Sequence, residues 1–116
     1  MRVIIAGSRS ITSLAEVELA VALSHFHITE IVSGGARGVD KLGEEYAAAH
    51  GIPVKPFYVT DAQWKASRGA GFQRNTRMVA YAEALIAIYD GSSKGTMHMI
   101  NTARARRLLV YVHRPE

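Results

Sequence analysis

The chain has 116 residues, 48% of them hydrophobic and 21% charged, the proportions of an ordinary folded domain, which excludes disordered and low-complexity classes. It has no cysteine, so disulfides, thiolate catalysis and cysteine-ligated zinc are excluded, and no apolar run approaches the ~20 residues that span a bilayer. Fourteen basic residues against ten acidic ones leave a net charge of +4, and ten of the fourteen are arginine, whose planar fork matches phosphate and carboxylate.

In chain order, Arg2–Ala6 reads as a β-rich apolar strand. Ser13–Phe26 reads as a helix, with Ser13 as N-cap and Glu16 three residues on, the spacing of a capping box. Its apolar stripe is Leu14, Val17, Val21 and Leu23 or Ser24. Ile28–Ser33 is the second strand. Val39–His50 is an alanine-rich helix closed by Gly51. Ile52–Tyr58 is the third strand, and its two prolines mark it as an edge. Asp61–Ala82 is mostly helical with a break near Gly69-Ala70-Gly71; Val59–Gly71 is the one long segment without an obvious partner. Ala84–Tyr89 is the fourth strand, Gly95–Arg107 a helix and Leu108–His113 the fifth strand.

Five strands alternating with four helices predict an α/β fold: a Rossmann-like three-layer sandwich with a five-stranded parallel sheet in the order 3-2-1-4-5. Residues 1–116 are expected to form a single domain. With no targeting segment visible, the expected location is cytoplasmic. In such a sheet, ligands bind beyond the carboxyl ends of the strands where strand order reverses, which here is between the first and fourth strands. The loops after strands one, two and four are also the most unusual stretches of the sequence.

The first strand runs into Gly7-Ser8-Arg9-Ser10, where glycine permits close backbone approach and Ser8 and Arg9 can bind phosphate or ribose; a plain turn with a surface arginine is the alternative. The second runs into Ser33-Gly34-Gly35-Ala36-Arg37-Gly38-Val39-Asp40, three glycines leading directly into a helix, whose free N–H groups and dipole favour an anion. Arg37 would add a fork there. Asp40 could cap the helix, bind a ribose hydroxyl or act as acid or base. The spacing is neither the dinucleotide fingerprint nor a P-loop. The fourth strand runs into Asp90-Gly91-Ser92-Ser93-Lys94-Gly95-Thr96, a second glycine-rich turn with three hydroxyls and a cation. The pair of turns points to a nucleotide-like ligand. Between them Arg74 and Arg77 lie three apart on a helix, and Arg74 with Asn75 reads as directed at a site.

These residues resemble the SLOG superfamily, which joins DNA-processing proteins to the Lonely Guy phosphoribohydrolases. The resemblance is to its YspA-like branch of small stand-alone bacterial and phage domains, whose pattern is ADxW, AGxxRNxxM and DGxSxGT. Here the pattern reads Asp61-Ala62-Gln63-Trp64, Ala70–Met78 and Asp90–Thr96, with the aromatic Trp64 one residue later than usual. The resemblance spans nearly the whole chain. It implies a Rossmann-like fold, a nucleotide-derived ligand at the strand ends and assembly as a homodimer or higher homo-oligomer. Lonely Guy enzymes carry PGGxGTxxE after the fourth strand. Aligned on Gly95-Thr96, their proline, glycines and catalytic glutamate become Gly91, Ser92, Ser93 and Met99. A thioether cannot take or give a proton, and glycosidic cleavage needs a carboxylate or its equivalent. Catalytic residues are therefore unassigned; Asp40, Glu44 and Arg74 are the candidates.

Trp64 and Tyr58 either stack on a base at the crevice rim or belong to the core. His98, in the first turn after Gly95-Thr96, is the one histidine near the expected site. No set of side chains has metal-ligand spacing, and no cofactor is expected. Arg104, Arg106 and Arg107 suit the negative end of the last helix better than a nucleic-acid patch. Ala80, Ala84, Ala87, Met97, Met99 and Ile100 fit a dimer seam as well as a core.

The function expected first is a module that binds a nucleotide or nucleotide-derived small ligand, as a sensor or as a sequestering protein. A phosphoribohydrolase-like nucleotide hydrolase is the second expectation. A single-stranded DNA-binding module, suggested by a sequence pI of about 9.7, is the third. No membrane partner is expected.

Overall fold

The computed structural model describes residues 1–67 and 69–115. Five strands form one parallel sheet: β1 (Arg2–Gly7), β2 (Glu30–Ser33), β3 (Val54–Pro56), β4 (Ala84–Ile88) and β5 (Leu109–His113). Their order is β3-β2-β1-β4-β5, as expected. Five helices connect or precede them: α1 (Leu14–Ser24), α2 (Val39–His50), α3 (Asp61–Ala66), α4 (Ala70–Tyr81) and α5 (Lys94–Ala105).

Side chains alternate across each strand, so both faces of a parallel sheet need cover. From β1, Val3 and Ile5 pack on one face with Val17 and Ala20 of α1 and Val39, Leu42 and Ala47 of α2. Ile4 and Ala6 pack on the other face with Met78 and Val79 of α4 and Met99, Ile100 and Ala103 of α5. β4 is divided the same way: Ala84, Ile86 and Ile88 go to the first core and Leu85 and Ala87 to the second. This is the three-layer arrangement. Ala84, Ala87, Met99 and Ile100 are thereby consumed by the chain's own core and cannot form a seam with another copy; Ala80 and Met97 remain exposed. Among the described residues, no helix is long and apolar enough to cross a membrane.

Three local expectations are corrected. Ser13 is the N-cap of α1, but its side chain makes no cap bond. The Glu16 carboxylate is taken instead by His113 Nε2 at 2.7 Å, a partner from the last strand. The working capping box lies at Thr60 and Gln63, which exchange hydrogen bonds of 3.1 and 2.8 Å and start α3, a fifth helix separate from α4. The third strand contracts from Ile52–Tyr58 to Val54–Pro56. Among the described residues it pairs only with β2, and its Pro56 donates no ladder bond.

Candidate functional site

β1 has β2 on one side and β4 on the other, so the connections leaving β1 and β4 diverge, and a cleft of about 400 Å³ opens between them. Ala6, Gly7, Arg9 and Ser10 line it from β1 and its loop; Ala36 and Asp40 from the turn after β2. Trp64 of α3 and Phe72, Arg74 and Asn75 of α4 form another part, and Asp90, Ser93, Gly95 and Thr96 complete it from the turn after β4. Met99 also lines it, only 2% exposed, so the position where the resemblance expects a glutamate carries a thioether.

The turn after β2 is organised by buried polar groups. Buried Ser33 donates to the Glu44 carboxylate at 2.6 Å and accepts from the Gly35 N–H at 3.1 Å. Asp40 is 4% exposed and does not cap its own helix, whose N-cap is Gly38. Its Oδ2 reaches back to accept the Ala36 N–H at 3.2 Å. Burial pushes the Asp40 carboxyl up to about 6, with nearby Arg74 and the Ala36 N–H opposing.

Arg74 donates to the Gly34 carbonyl at 3.3 Å and to Asn75 Oδ1 at 3.2 Å. Its buried Nε has no hydrogen-bond partner among the described residues. A Cβ on Gly34 would stand 2.9 Å from both Arg74 Nη1 and Asp40 Oδ2, so glycine is what lets the cation and the acid approach across the turn. Burial lowers the Arg74 guanidinium below its ordinary value; Asp40 opposes this, and Arg9 and Arg77 add to it.

Asp40 sets a pH dependence. Its folded value lies above the unfolded one, so the cost of burying its charge is absent at low pH and grows as pH rises through 6. Asp40→Asn is therefore expected to gain stability over wild type by about 1 kcal/mol between pH 5 and pH 7. Paired thermal melts across that range check it. A constant difference would mean that the carboxyl is ionised throughout.

The turn after β4 folds around its own carboxylate. Asp90 Oδ1 accepts the N–H groups of Ser92 and Ser93 at 2.8 and 3.0 Å, and Oδ2 accepts the Ser10 hydroxyl at 3.0 Å. These donors hold Asp90 well below the usual carboxylate range. Buried Ser8 accepts the Asp90 N–H at 3.0 Å, tying the loops after β1 and β4 together. Ser93 caps α5 by accepting the Thr96 N–H at 3.3 Å.

Several candidates stand apart from the cleft. Arg37, Gly91, Ser92 and Lys94 are exposed and line neither the cleft nor the recess beside it. Gly38, Ser33 and Glu44 are likewise off both, as is Ser8, which is buried and holds the Asp90 N–H. That adjoining recess, about 150 Å³, is lined by Gly34, Gly35, Lys41, Tyr58 and Val59 and shares Arg9, Ala36, Trp64 and Arg74 with the cleft. Tyr58 is in this recess and Trp64 borders both cavities; each is about half exposed, so neither is core.

The sequence reading missed Lys41 and Phe72. Lys41 follows Asp40 in the first turn of α2, a position that could have marked it. Phe72 lies two residues before Arg74, and its ring stacks on His98 at 4.1 Å. Asn75 Oδ1 accepts from Arg74, so its Nδ2 donates to His98 Nδ1 at 3.2 Å, and burial lowers the His98 pKa. His98 thus supports Phe72 and Asn75 without lining the cleft.

A model of the YAcAr family, described as YspA, cpYpsA-related SLOG, matches residues 1–66. The X-ray structure of DNA processing protein A (DprA) from Streptococcus pneumoniae is similar in fold, with a TM-score of 0.77 at 17% identity over 96% of this chain. The chain spans about half the length of that protein, 49% of it. No curated protein matches the chain.

Proposed function

Because the chain belongs to the YspA, cpYpsA-related SLOG family, we propose that it binds a nucleotide or nucleotide-derived small ligand in the cleft, as a sensor or sequestering module. The observation that carries this reading is Arg74: a guanidinium drawn into the wall of the cleft, its buried Nε without a hydrogen-bond partner among the described residues. Nη1 and Nη2 give one N–H each to Gly34 and Asn75 and keep a second for a ligand oxygen. Arg9, beside it, adds a second cation. Gly7 and Asn75 contribute to the same wall, Asp40 offers an acceptor for a ribose hydroxyl, and Trp64 offers a stacking face for a base.

The test is thermal unfolding with a panel of nucleoside monophosphates and triphosphates, ADP-ribose and its cyclic forms, cyclic dinucleotides and short single-stranded DNA. Fluorescence is read in parallel from Trp64, the chain's one tryptophan. A ligand at a hundred times its Kd adds about 2.7 kcal/mol. For a chain of this length that raises Tm by about 10 °C. Stacking on Trp64 would quench its emission. If no small ligand moves either signal, the reading is wrong. A response to DNA alone, fading steeply with salt, would favour the DNA-binding reading that the DprA-like fold suggests.

A second reading, turnover of the ligand, is favoured by Asp40. A cleft carboxyl that titrates near 6 is in the range for proton transfer at neutral pH. Mass spectrometry of the ligand after incubation separates binding from cleavage; an unchanged ligand removes the hydrolase reading.

A further inference from the structure

We propose that the ligand's phosphate is held in the recess beside the cleft, on Arg9, Lys41 and Arg74, and not at the amino end of α5. The assignment rests on the nucleotide reading above and deepens it. It makes the ligand a nucleoside carrying a phosphoryl group that turns aside into the recess.

The turn after β4 is where a glycine-rich loop and a helix start would ordinarily receive phosphate. Here that capacity is largely used, leaving the N–H groups of Lys94 and Gly95. The N–H groups of Ser92 and Ser93 bond to Asp90, and the Thr96 N–H bonds to Ser93 Oγ. A phosphate on the Lys94 and Gly95 N–H groups would lie in the turn of an ionised carboxylate, Asp90, that the Ser92 and Ser93 N–H groups stabilise. Lys94, the cation of that turn, is exposed and does not line the cleft.

The recess has the opposite character. Among the described residues three cations line it and no carboxylate does. Glu44, the acid beside Lys41, is engaged by Ser33 at 2.6 Å, by the Tyr58 hydroxyl at 3.3 Å and by Lys41 at 3.7 Å. Asp40 lines the cleft but not the recess, although its carboxyl lies within reach of Arg74 across Gly34. Arg9 and Arg77 repel the Arg74 charge, which Asp40 offsets, and a further anion beside Arg9 and Arg74 would relieve that repulsion. Gly35 has φ +72°, and a Cβ there would strike the Tyr58 ring at 2.3 Å, so only glycine keeps this wall in place.

The two cavities share Arg9 and Arg74, so one ligand can occupy both. The cleft suits the nucleoside end. Phe72 and Trp64 are 46% and 43% exposed there and offer aromatic faces, while Asp40 and Asp90 accept from hydroxyl or amino groups.

The experiment is calorimetry on matched ribonucleosides and their 5′-monophosphates, with wild type, Lys41→Ala and Gly95→Ala. Lys41 borders the recess alone, and its side chain is more than half exposed. Its loss is expected to cut the affinity gained from the phosphate by about tenfold while leaving nucleoside affinity unchanged. Gly95 has open space where a Cβ would go, so alanine there obstructs the α5 end without disturbing the fold. A phosphate gain that survives in Lys41→Ala overturns the assignment, and its loss in Gly95→Ala would then put the phosphate at α5. Equal binding of nucleoside and monophosphate by wild type also overturns it. Failure of every pair to bind would overturn the nucleotide reading along with it.

Discussion

Replacing Arg74 with alanine is expected to lower affinity for any anionic nucleotide by about a hundredfold or more, while the chain stays folded. Arg74 borders both the cleft and the recess, and a guanidinium offers five N–H donors, of which two groups are engaged, on Gly34 and Asn75. Hydrogen bonds to charged groups contribute about 1.5–3 kcal/mol each, so losing one or two from a ligand reaches that factor. Arg74→Lys should recover only part of it, because a point charge replaces a planar fork. The fold should survive, since the acceptors left behind border a cleft that water can enter. The same change removes the cation that restrains Asp40, so the Asp40 carboxyl should rise further above 6. Calorimetric titration with the ligand found in the panel, with a thermal melt alongside, checks the prediction. Wild-type affinity in Arg74→Ala would mean that the ligand binds elsewhere.

Gly7→Ala is expected to cost about 3 kcal/mol of stability, or roughly 12 °C in Tm, whether or not ligand is present. Gly7 ends β1 opposite Ile88 of β4. A Cβ would lie 2.1 Å from the Ile88 carbonyl oxygen, 3.0 Å from its carbon and 2.8 Å from Val39 Cγ2. Two of these are backbone atoms of a buried central strand, so the clash is relieved only by parting β1 from β4. The Ser8 N–H bond to the Ile88 carbonyl, 3.1 Å, would go with it. Gly95→Ala is the control: its Cβ meets nothing within 4 Å, and alanine favours a helix interior. An unchanged melt for Gly7→Ala would show that β1 and β4 can part at this end without cost.

Much of the fold was legible because its signals are local. Val39–His50 is a helix with the bounds its composition suggested, and Gly51 closes it at φ +65°. The strand order follows from strict strand–helix alternation and the hand of the crossovers, which leave few arrangements. Capping was less legible. Ser13 and Glu16 have the same spacing as Thr60 and Gln63, yet only the second pair closes, because His113, distant in sequence, claims Glu16.

The candidate site divides along the same line. From residues alone came its place at the strand ends, the glycine-rich turns, and Arg9, Asp40, Arg74 and Asn75 as the groups to watch; all four line one cleft. Sequence could not tell which N–H groups of the two turns are already taken. Asp90 answers those of Ser92 and Ser93, Ser33 that of Gly35 and Asp40 that of Ala36. Nor could it show Asp40 buried to 4% exposure within reach of Arg74, or Lys41 sharing a recess with Arg9 and Tyr58. Periodicity and turn chemistry act over a few residues and can be read along the chain. Burial, charge pairing and the vacancy of a donor depend on distances between residues far apart in sequence, and only the packed sheet decides them.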